Sequence, residues 1–143
     1  MPDEANSETN LALVRRYLDE AWNRGNLAVI DELMAPNYVR ILPLPAPPLD
    51  REGQKRRIAG FRTAFPDLHL DVEQLLAQGD LVAFRILIRG THTGPFQGLA
   101  PTGRSITLTA TDILRIAGGQ VVEHWGNLDE LGLLRQLGIL PTP

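Results

Sequence analysis

Two residues near the end of the chain, Asp112 and His124, are of the types that move protons. Both lie in the stretch TATDILRIAGGQVVEHWGN, residues 109–127, whose alternating apolar and polar positions predict two β-strands joined by a tight turn. Asp112 shares its face of the first strand with apolar residues, so its carboxylate needs a partner. A carboxylate and an imidazole within cross-strand reach can act as general acid and base if they open onto a pocket. The alternative interpretation is a structural ion pair.

The turn at Gly118-Gly119 allows two registers between these strands. A two-residue loop opposes Ala117 to Gln120, whereas a turn with a left-handed glycine opposes Ile116 to Gln120. We expect the second register, because it keeps apolar residues together and places Asp112 directly opposite His124. The shared face then carries Ile106, Leu108, Ala110, Asp112, Leu114, Val122, His124 and Gly126.

A third candidate catalytic residue, His92, ends the apolar face of the preceding strand. Gly90 and Gly94 flank it, and glycines there let the backbone turn away and leave the imidazole at the rim of a cavity. A purely structural histidine is the alternative. His69 lies on a polar face and is discounted. Because one of the three histidines faces outward and the chain has no cysteine, the sequence predicts no metal site.

The elements that must position these residues follow two periods. Helical spacing of apolar residues predicts helices over about 7–25, 26–36 and 50–65. From Leu68 onward the period changes to two, which predicts antiparallel strands, and a short helix over about 128–137 follows. The predicted N-caps of the first three helices are Ser7, Asn26 and Asp50. Helices followed by a run of strands predict an α+β fold.

The length of 143 residues suits a single domain. Within it, we expect residues 1–6 to form a flexible tail. Prolines at positions 43, 45, 47 and 48 predict a stiff loop over residues 41–50. That loop could be a flap over a pocket or only a spacer.

Composition excludes several classes of function. The net charge is −3 and the basic residues form no stripe, so we expect no nucleic-acid partner. No apolar run approaches ~20 residues and the amino terminus is polar, so we expect neither a membrane span nor a signal peptide. A cytoplasmic protein without disulfides is the resulting expectation.

Three motifs late in the chain carry a family resemblance. They are G-x-H-x-G at 90–94, A-P-T-G-R at 100–104 and D-x-x-G-x-x-R-Q-L-G at 129–138. Together they resemble the SnoaL-like polyketide cyclase (ester cyclase) family over roughly Leu11 to Gly138. The resemblance implies a cone-shaped α+β barrel, shared with ketosteroid isomerase and scytalone dehydratase. In that fold a curved antiparallel sheet wraps around N-terminal helices and leaves a deep apolar pocket.

The resemblance also implies chemistry. Cyclases of this family close a ring by intramolecular aldol condensation without cofactor or metal, using a pocket aspartate as acid and base. That aspartate falls at position 126, where this chain has Gly126. We therefore expect the acid/base work to lie with Asp112, His124 and His92. Asp129, at the start of the last helix, could be an acid, but the position favours an N-cap.

The predicted pocket wall consists of Trp22, Phe61, Leu114 and Gly126. Trp22 would be an aromatic wall for a flat ring, with plain core packing as the alternative. We expect a hydrophobic small molecule as ligand and a homodimer through the outer sheet face, where Trp125 lies. The function expected is a cofactor-independent enzyme acting on a carbonyl-bearing polyketide-like compound. The alternatives are a non-catalytic binding protein and an accessory protein of polyketide oxygenation.

Overall fold

The computed structural model describes residues 2–143, with side chains from residue 6 onward. The helices in this range are α1 (Pro2–Arg16), α2 (Ala28–Leu33), α3 (Arg51–Ala64) and α4 (Glu130–Gln136). A π-helical segment (Tyr17–Asn23) continues α1. The strands are β1 (Met34–Ile41), β2 (His69–Gln78), β3 (Leu81–Thr91), β4 (Ser105–Ala117) and β5 (Gln120–Leu128).

The five strands form one curved sheet in the order β1-β5-β4-β3-β2. The α+β class is confirmed: α1, α2 and α3 all precede β2 in the sequence, and only α4 of the described helices follows the last strand. We expected an antiparallel sheet throughout. The pairs β2–β3, β3–β4 and β4–β5 are antiparallel, but β1 runs parallel to β5. The sheet also does not close into a barrel, because β1 and β2 remain its two edges.

The inner face of the sheet forms the core together with the helices. Successive residues of β4 alternate between buried and more exposed positions, as a strand with one covered face requires. The α1 helix and the π-helical segment pack against β2, and α3 packs against β1. Each large apolar side chain buried this way stabilises the fold by about 1.5–3 kcal/mol.

Three predicted helix boundaries were wrong. Ser7 lies inside α1, which begins at Pro2, where a missing N–H carries no penalty. The residue in the N-cap position of α2 is Leu27 rather than Asn26, and its side chain makes no cap hydrogen bond. Pro36, expected to end the second helix, lies within edge strand β1 where the register against β5 shifts.

The β4–β5 hairpin does not have the register that we expected. Its turn opposes Ala117 to Gln120, which is the two-residue alternative. A bulge next to the turn then shifts the pairing by one residue, so Asp112 lies opposite Gly126. This shift returns His124 to the same face as Asp112, one row away. The faces assigned to these two residues are therefore right, although the register is wrong.

Candidate active site

Four polar side chains lie together on the inner face where β1, β5 and β4 adjoin. They are Tyr38, Arg40, Asp112 and His124, and each is at most 6% exposed. Parallel pairing sets Arg40 directly beside His124, and Tyr38 precedes Arg40 by two residues on the same face of β1. Polar groups buried this deeply remain stable only if they satisfy each other.

His124 lies at the centre of this buried cluster. Its Nε2 is 2.6 Å from Asp112 Oδ2, and its Nδ1 is 2.9 Å from the Tyr38 hydroxyl. We assign the proton to Nε2, which donates to the carboxylate, while the Tyr38 hydroxyl donates to Nδ1. Arg40 Nη1 lies 3.3 Å from Asp112 Oδ2 and 2.7 Å from His124 Nε2. The guanidinium thus lies against both partners.

Burial and the nearby guanidinium decide the charges. Burial, then the positive charge of Arg40, lowers the pKa of His124 to about 4, so the imidazole is neutral at pH 7. Burial alone would raise the pKa of Asp112. The hydrogen bond from His124 and the charge of Arg40 outweigh the effect of burial, so the pKa of Asp112 lies below the usual value for an aspartate. The cluster is therefore a carboxylate and a guanidinium in direct contact, with a neutral imidazole against both of them.

Gly126 makes this arrangement possible. A Cβ at that position would lie 2.5 Å from Arg40 Nη2 and 2.7 Å from Asp112 Oδ2. Real Cβ atoms do not approach other heavy atoms so closely, so a larger residue would displace the pair. The absent side chain at position 126 therefore leaves the space that the Arg40 guanidinium and the Asp112 carboxylate occupy.

An apolar cavity opens beside the cluster, between the inner face of the sheet and the helices. Asp112 and Arg40 line it, whereas His124 and Tyr38 lie behind them. Its apolar wall comes from Leu18, Trp22, Phe61, Leu68, Leu70, Phe84, Ile86, Ile88, Ile106, Leu108, Ala110 and Leu128. A mostly apolar wall with a few convergent polar groups is typical of pockets that bind small molecules.

The π-helical segment fixes two aromatic side chains at this cavity. Because a π-helix brings residues five apart into line, Trp22 Nε1 donates to the Tyr17 hydroxyl at 2.8 Å. Gln54 of α3 holds the same hydroxyl at 2.8 Å. The Trp22 ring also contacts Phe61 edge to face, with centroids 5.9 Å apart. Both aromatic rings of the predicted pocket wall, Trp22 and Phe61, line the cavity.

Other predicted site residues lie elsewhere. Leu114 and Gly126 are not among the residues that line the cavity in the described part of the chain. His92 is fully buried away from it, stacked on Phe65 with ring centroids 5.4 Å apart. Its Nδ1 accepts from the Thr102 backbone N–H at 3.1 Å, so it ties down the loop between β3 and β4.

Asp129 caps α4, as its position favoured. Its exposed carboxylate accepts from the Gly132 N–H at 2.9 Å. Asp50 does the same for α3, accepting from the Gly53 N–H at 2.7 Å. Both carboxylates satisfy a free N–H of a helix's first turn.

Sequence reasoning missed Tyr38 and Arg40. They alternate along β1, which is the spacing that sends both to one face. Nothing in the local pattern says which face, because the prolines on either side obscure the strand and its partner β5 is some eighty residues away.

The described residues show neither a group of metal ligands nor a helix that could span a membrane. Among the side chains of residues 6–143, no three His, Cys, Asp or Glu residues are grouped as a metal ion would need. None of the helices described combines the length and the hydropathy needed to cross a bilayer.

Comparison with known proteins agrees with this architecture. The sequence profile of SnoaL-like polyketide cyclases matches residues 12–137. Aklanonic acid methyl ester cyclase DnrD of Streptomyces peucetius is 30% identical over 139 residues, which cover 94% of this chain and 95% of that one. Nogalonic acid methyl ester cyclase of Streptomyces nogalater is 27% identical over 120 residues, covering 82% and 90%.

Solved structures of similar proteins share this fold. AclR, a candidate hydroxylase from Streptomyces galilaeus, superposes with a TM-score of 0.84 at 34% identity, covering 94% of this chain and 83% of AclR. TsrD from Streptomyces laurentii superposes with a TM-score of 0.81 at 32% identity, covering 93% and 97%. Family profile, relatives and fold converge, and the chain belongs to the SnoaL-like polyketide cyclase family.

Proposed function

We propose that this protein is a cofactor-independent cyclase that closes a ring on a hydrophobic, polyketide-like carbonyl compound, with Asp112 as its acid and base. One observation carries the proposal: an ionised, buried carboxylate faces an apolar cavity with a guanidinium beside it. A carboxylate in that position is ready to take a proton from a ligand in the cavity and to return it.

The low pKa of Asp112 makes it a weak base, so its substrate must be an acidic carbon, such as one between two carbonyls. Asp112 takes the proton from that carbon, and the electron pair moves onto the carbonyl oxygen as an enolate beside Arg40. The enolate carbon then attacks a second carbonyl, and the resulting alkoxide takes the proton back from Asp112. The sequence is redox-neutral and the product has the mass of the substrate.

The residues behind the cavity have positioning roles in this proposal. His124 donates to Asp112 and is itself held by Tyr38, so the carboxylate keeps one orientation. Arg40 stabilises the charge that develops on oxygen, which is where preorganised positive charge is most effective. His92 has no part in this scheme, because it does not reach the cavity.

The test uses aklanonic acid methyl ester, the compound in the relatives' names, and deuterium exchange at the acidic carbon of 2-tetralone. We expect the wild type to convert the methyl ester into a cyclised isomer of the same mass, or to catalyse deuterium exchange into 2-tetralone. Asp112→Asn should lose about 10²–10⁴-fold in rate, the usual contribution of a general base. Asp129→Asn is the matched control and should keep full activity. Wild-type rates in a folded Asp112→Asn protein would refute the assignment.

A second candidate function follows from the likeness to AclR. In that case the protein assists oxygenation of a polyketide, which consumes O₂ and a reductant. The products of the two candidate reactions differ in mass, since oxygenation adds one oxygen atom and cyclisation adds none. Oxygenation also requires reduced flavin. Saturable binding with neither outcome would instead indicate a binding protein.

We also propose that the protein works in the cytoplasm as a homodimer joined through the outer face of the sheet. An apolar row crosses all five strands on that face. It consists of Leu76, Ala83, Ile113, Trp125 and Ile41, which are neighbours in the strand pairing. Leu76 is 68% exposed and Ile113 is 42% exposed. Sedimentation should show a dimer for the wild type and a monomer for Ile113→Asp; a monomeric wild type contradicts the proposal.

A further inference from the structure

We propose that Arg57 gives the cavity a second function: it recognises an acidic group on the ligand, so that the preferred ligand is a flat apolar ring bearing a carboxylate. This inference rests on the proposed function for the identity of the cavity as a ligand site. It names the class of ligand, which the proposed chemistry leaves open.

The first support is the position of Arg57. It lies on α3 and lines the inner cavity, and it also lines an outer groove with Leu42, Gly60 and Phe96. A ligand whose ring occupies the inner cavity can therefore extend past this guanidinium toward solvent. Recognition of a group at the ring's periphery needs a residue in such a position.

The second support is the lack of a partner. Among the side chains of residues 6–143, Arg57 makes no ion pair within 4.0 Å, and its buried Nε has no hydrogen-bond acceptor. Asp112 is already occupied by Arg40 and His124. Glu130 acts on Arg57 only from a longer distance. A partly buried guanidinium with free donors is suited to a carboxylate from outside the chain.

The third support is the environment of the charge. The Phe61 ring lies under the guanidinium, with Cζ 5.2 Å from the ring centroid, and it shields one side from water. The cavity is lined by two guanidinium groups, Arg40 and Arg57, but by only one carboxylate among the described residues, Asp112. One positive charge is thus left over, and a neutral ligand would leave it without compensation.

The experiment measures the affinity of two unreactive probes of the same shape, 2-naphthoate and the neutral 2-naphthamide, by isothermal titration calorimetry. We expect the wild type to bind naphthoate at least about tenfold more tightly, as a charge-assisted hydrogen bond supplies. Arg57→Met should remove that preference by weakening naphthoate alone. Arg57→Lys should keep part of it. Arg15→Met is the matched control and should bind both probes as the wild type does, because Arg15 is exposed on α1 and lines neither the inner cavity nor the outer groove.

Three results would overturn the inference: equal affinity of the wild type for both probes, equal weakening of both by Arg57→Met, or binding of neither probe at millimolar concentration. Because the probes do not react, the outcome is independent of catalysis by Asp112. Glu130→Gln gives a second test, since removal of the distant competing carboxylate should strengthen naphthoate binding and leave naphthamide unchanged.

Discussion

At the scale of single residues, the buried pair of Arg40 and Asp112 is the feature on which site and stability both depend. Two buried charges gain little net free energy from pairing, but removing one of them leaves the other uncompensated. The site therefore has little tolerance for substitution at either position.

We predict that Arg40→Met lowers the free energy of unfolding by about 3–5 kcal/mol, because it leaves the Asp112 carboxylate buried without its cation. The double variant Arg40→Met/Asp112→Leu should recover most of this loss, since it removes both charges. Urea denaturation of the three proteins measures the difference. A single variant within about 1 kcal/mol of the wild type would show that the pair matters little.

We predict that Gly126→Ala costs about 1–3 kcal/mol, the usual range for overpacking a core. The added methyl group meets Arg40 and Asp112, which must then move. Gly60→Ala is the matched control, because nothing lies within 4 Å of its added Cβ. Being inside α3, that change should stabilise by about 0.5–1 kcal/mol. Equal effects of both changes in thermal denaturation would contradict the packing argument.

At the scale of elements, strands and their faces could be predicted from alternation, but the pairing could not. The inner face of β4 follows from its period of two. The β4–β5 register depends on one bulge near Val122, whose energy is set by twist and packing rather than by residue type. The bulge also buries Val121 in place of Val122, which we had expected on the inner face.

The role of Arg40 was hidden for a different reason. Its neighbour in the cluster, His124, lies 84 positions later, and only the parallel β1–β5 pairing joins them. A long-range parallel pairing leaves no local trace in a single sequence. Asp112 and His124, by contrast, belong to one hairpin, where the sequence could indicate their proximity.

We predict that Asp129→Ala destabilises the protein by about 1 kcal/mol, the usual value of an N-cap. It should leave turnover unchanged, because the carboxylate bonds to α4 and does not line the cavity. Asp129→Ser keeps a capping oxygen and should restore stability. A large loss of activity in well-folded Asp129→Ala would instead identify this residue as an acid in the reaction.

At the scale of the whole molecule, the neutral buried imidazole makes stability depend on pH. The pKa of His124 is about 4 when folded, against 6.5 for a free histidine. Between those values the unfolded chain binds the extra proton, so the free energy of unfolding falls as pH falls. The full difference is on the order of 3 kcal/mol, at about 1.4 kcal/mol per pKa unit.

We therefore predict that urea denaturation shows a loss of stability from pH 6.5 toward pH 4. His124→Gln keeps a donor for Asp112 but does not titrate, so its stability should change less over that range. Carboxylates whose pKa is lowered in the fold, such as Asp31, Glu32 and Asp67, lose their contribution only at lower pH. If the free energy of unfolding changed equally with pH in the wild type and in His124→Gln, His124 would not be the titrating group.

The return of the proline-rich loop to β1 has a consequence for how the protein meets other molecules. The backbone N–H and C=O of Arg40 point away from β5 and bond to Leu49 in the loop. The Arg40 N–H donates to the Leu49 C=O at 2.8 Å, and the Leu49 N–H donates to the Arg40 C=O at 2.9 Å. Those groups would otherwise be free to recruit a strand from another chain. The loop thus covers this part of the β1 edge against edge-to-edge aggregation, at a residue whose side chain is one of the two guanidinium groups lining the cavity.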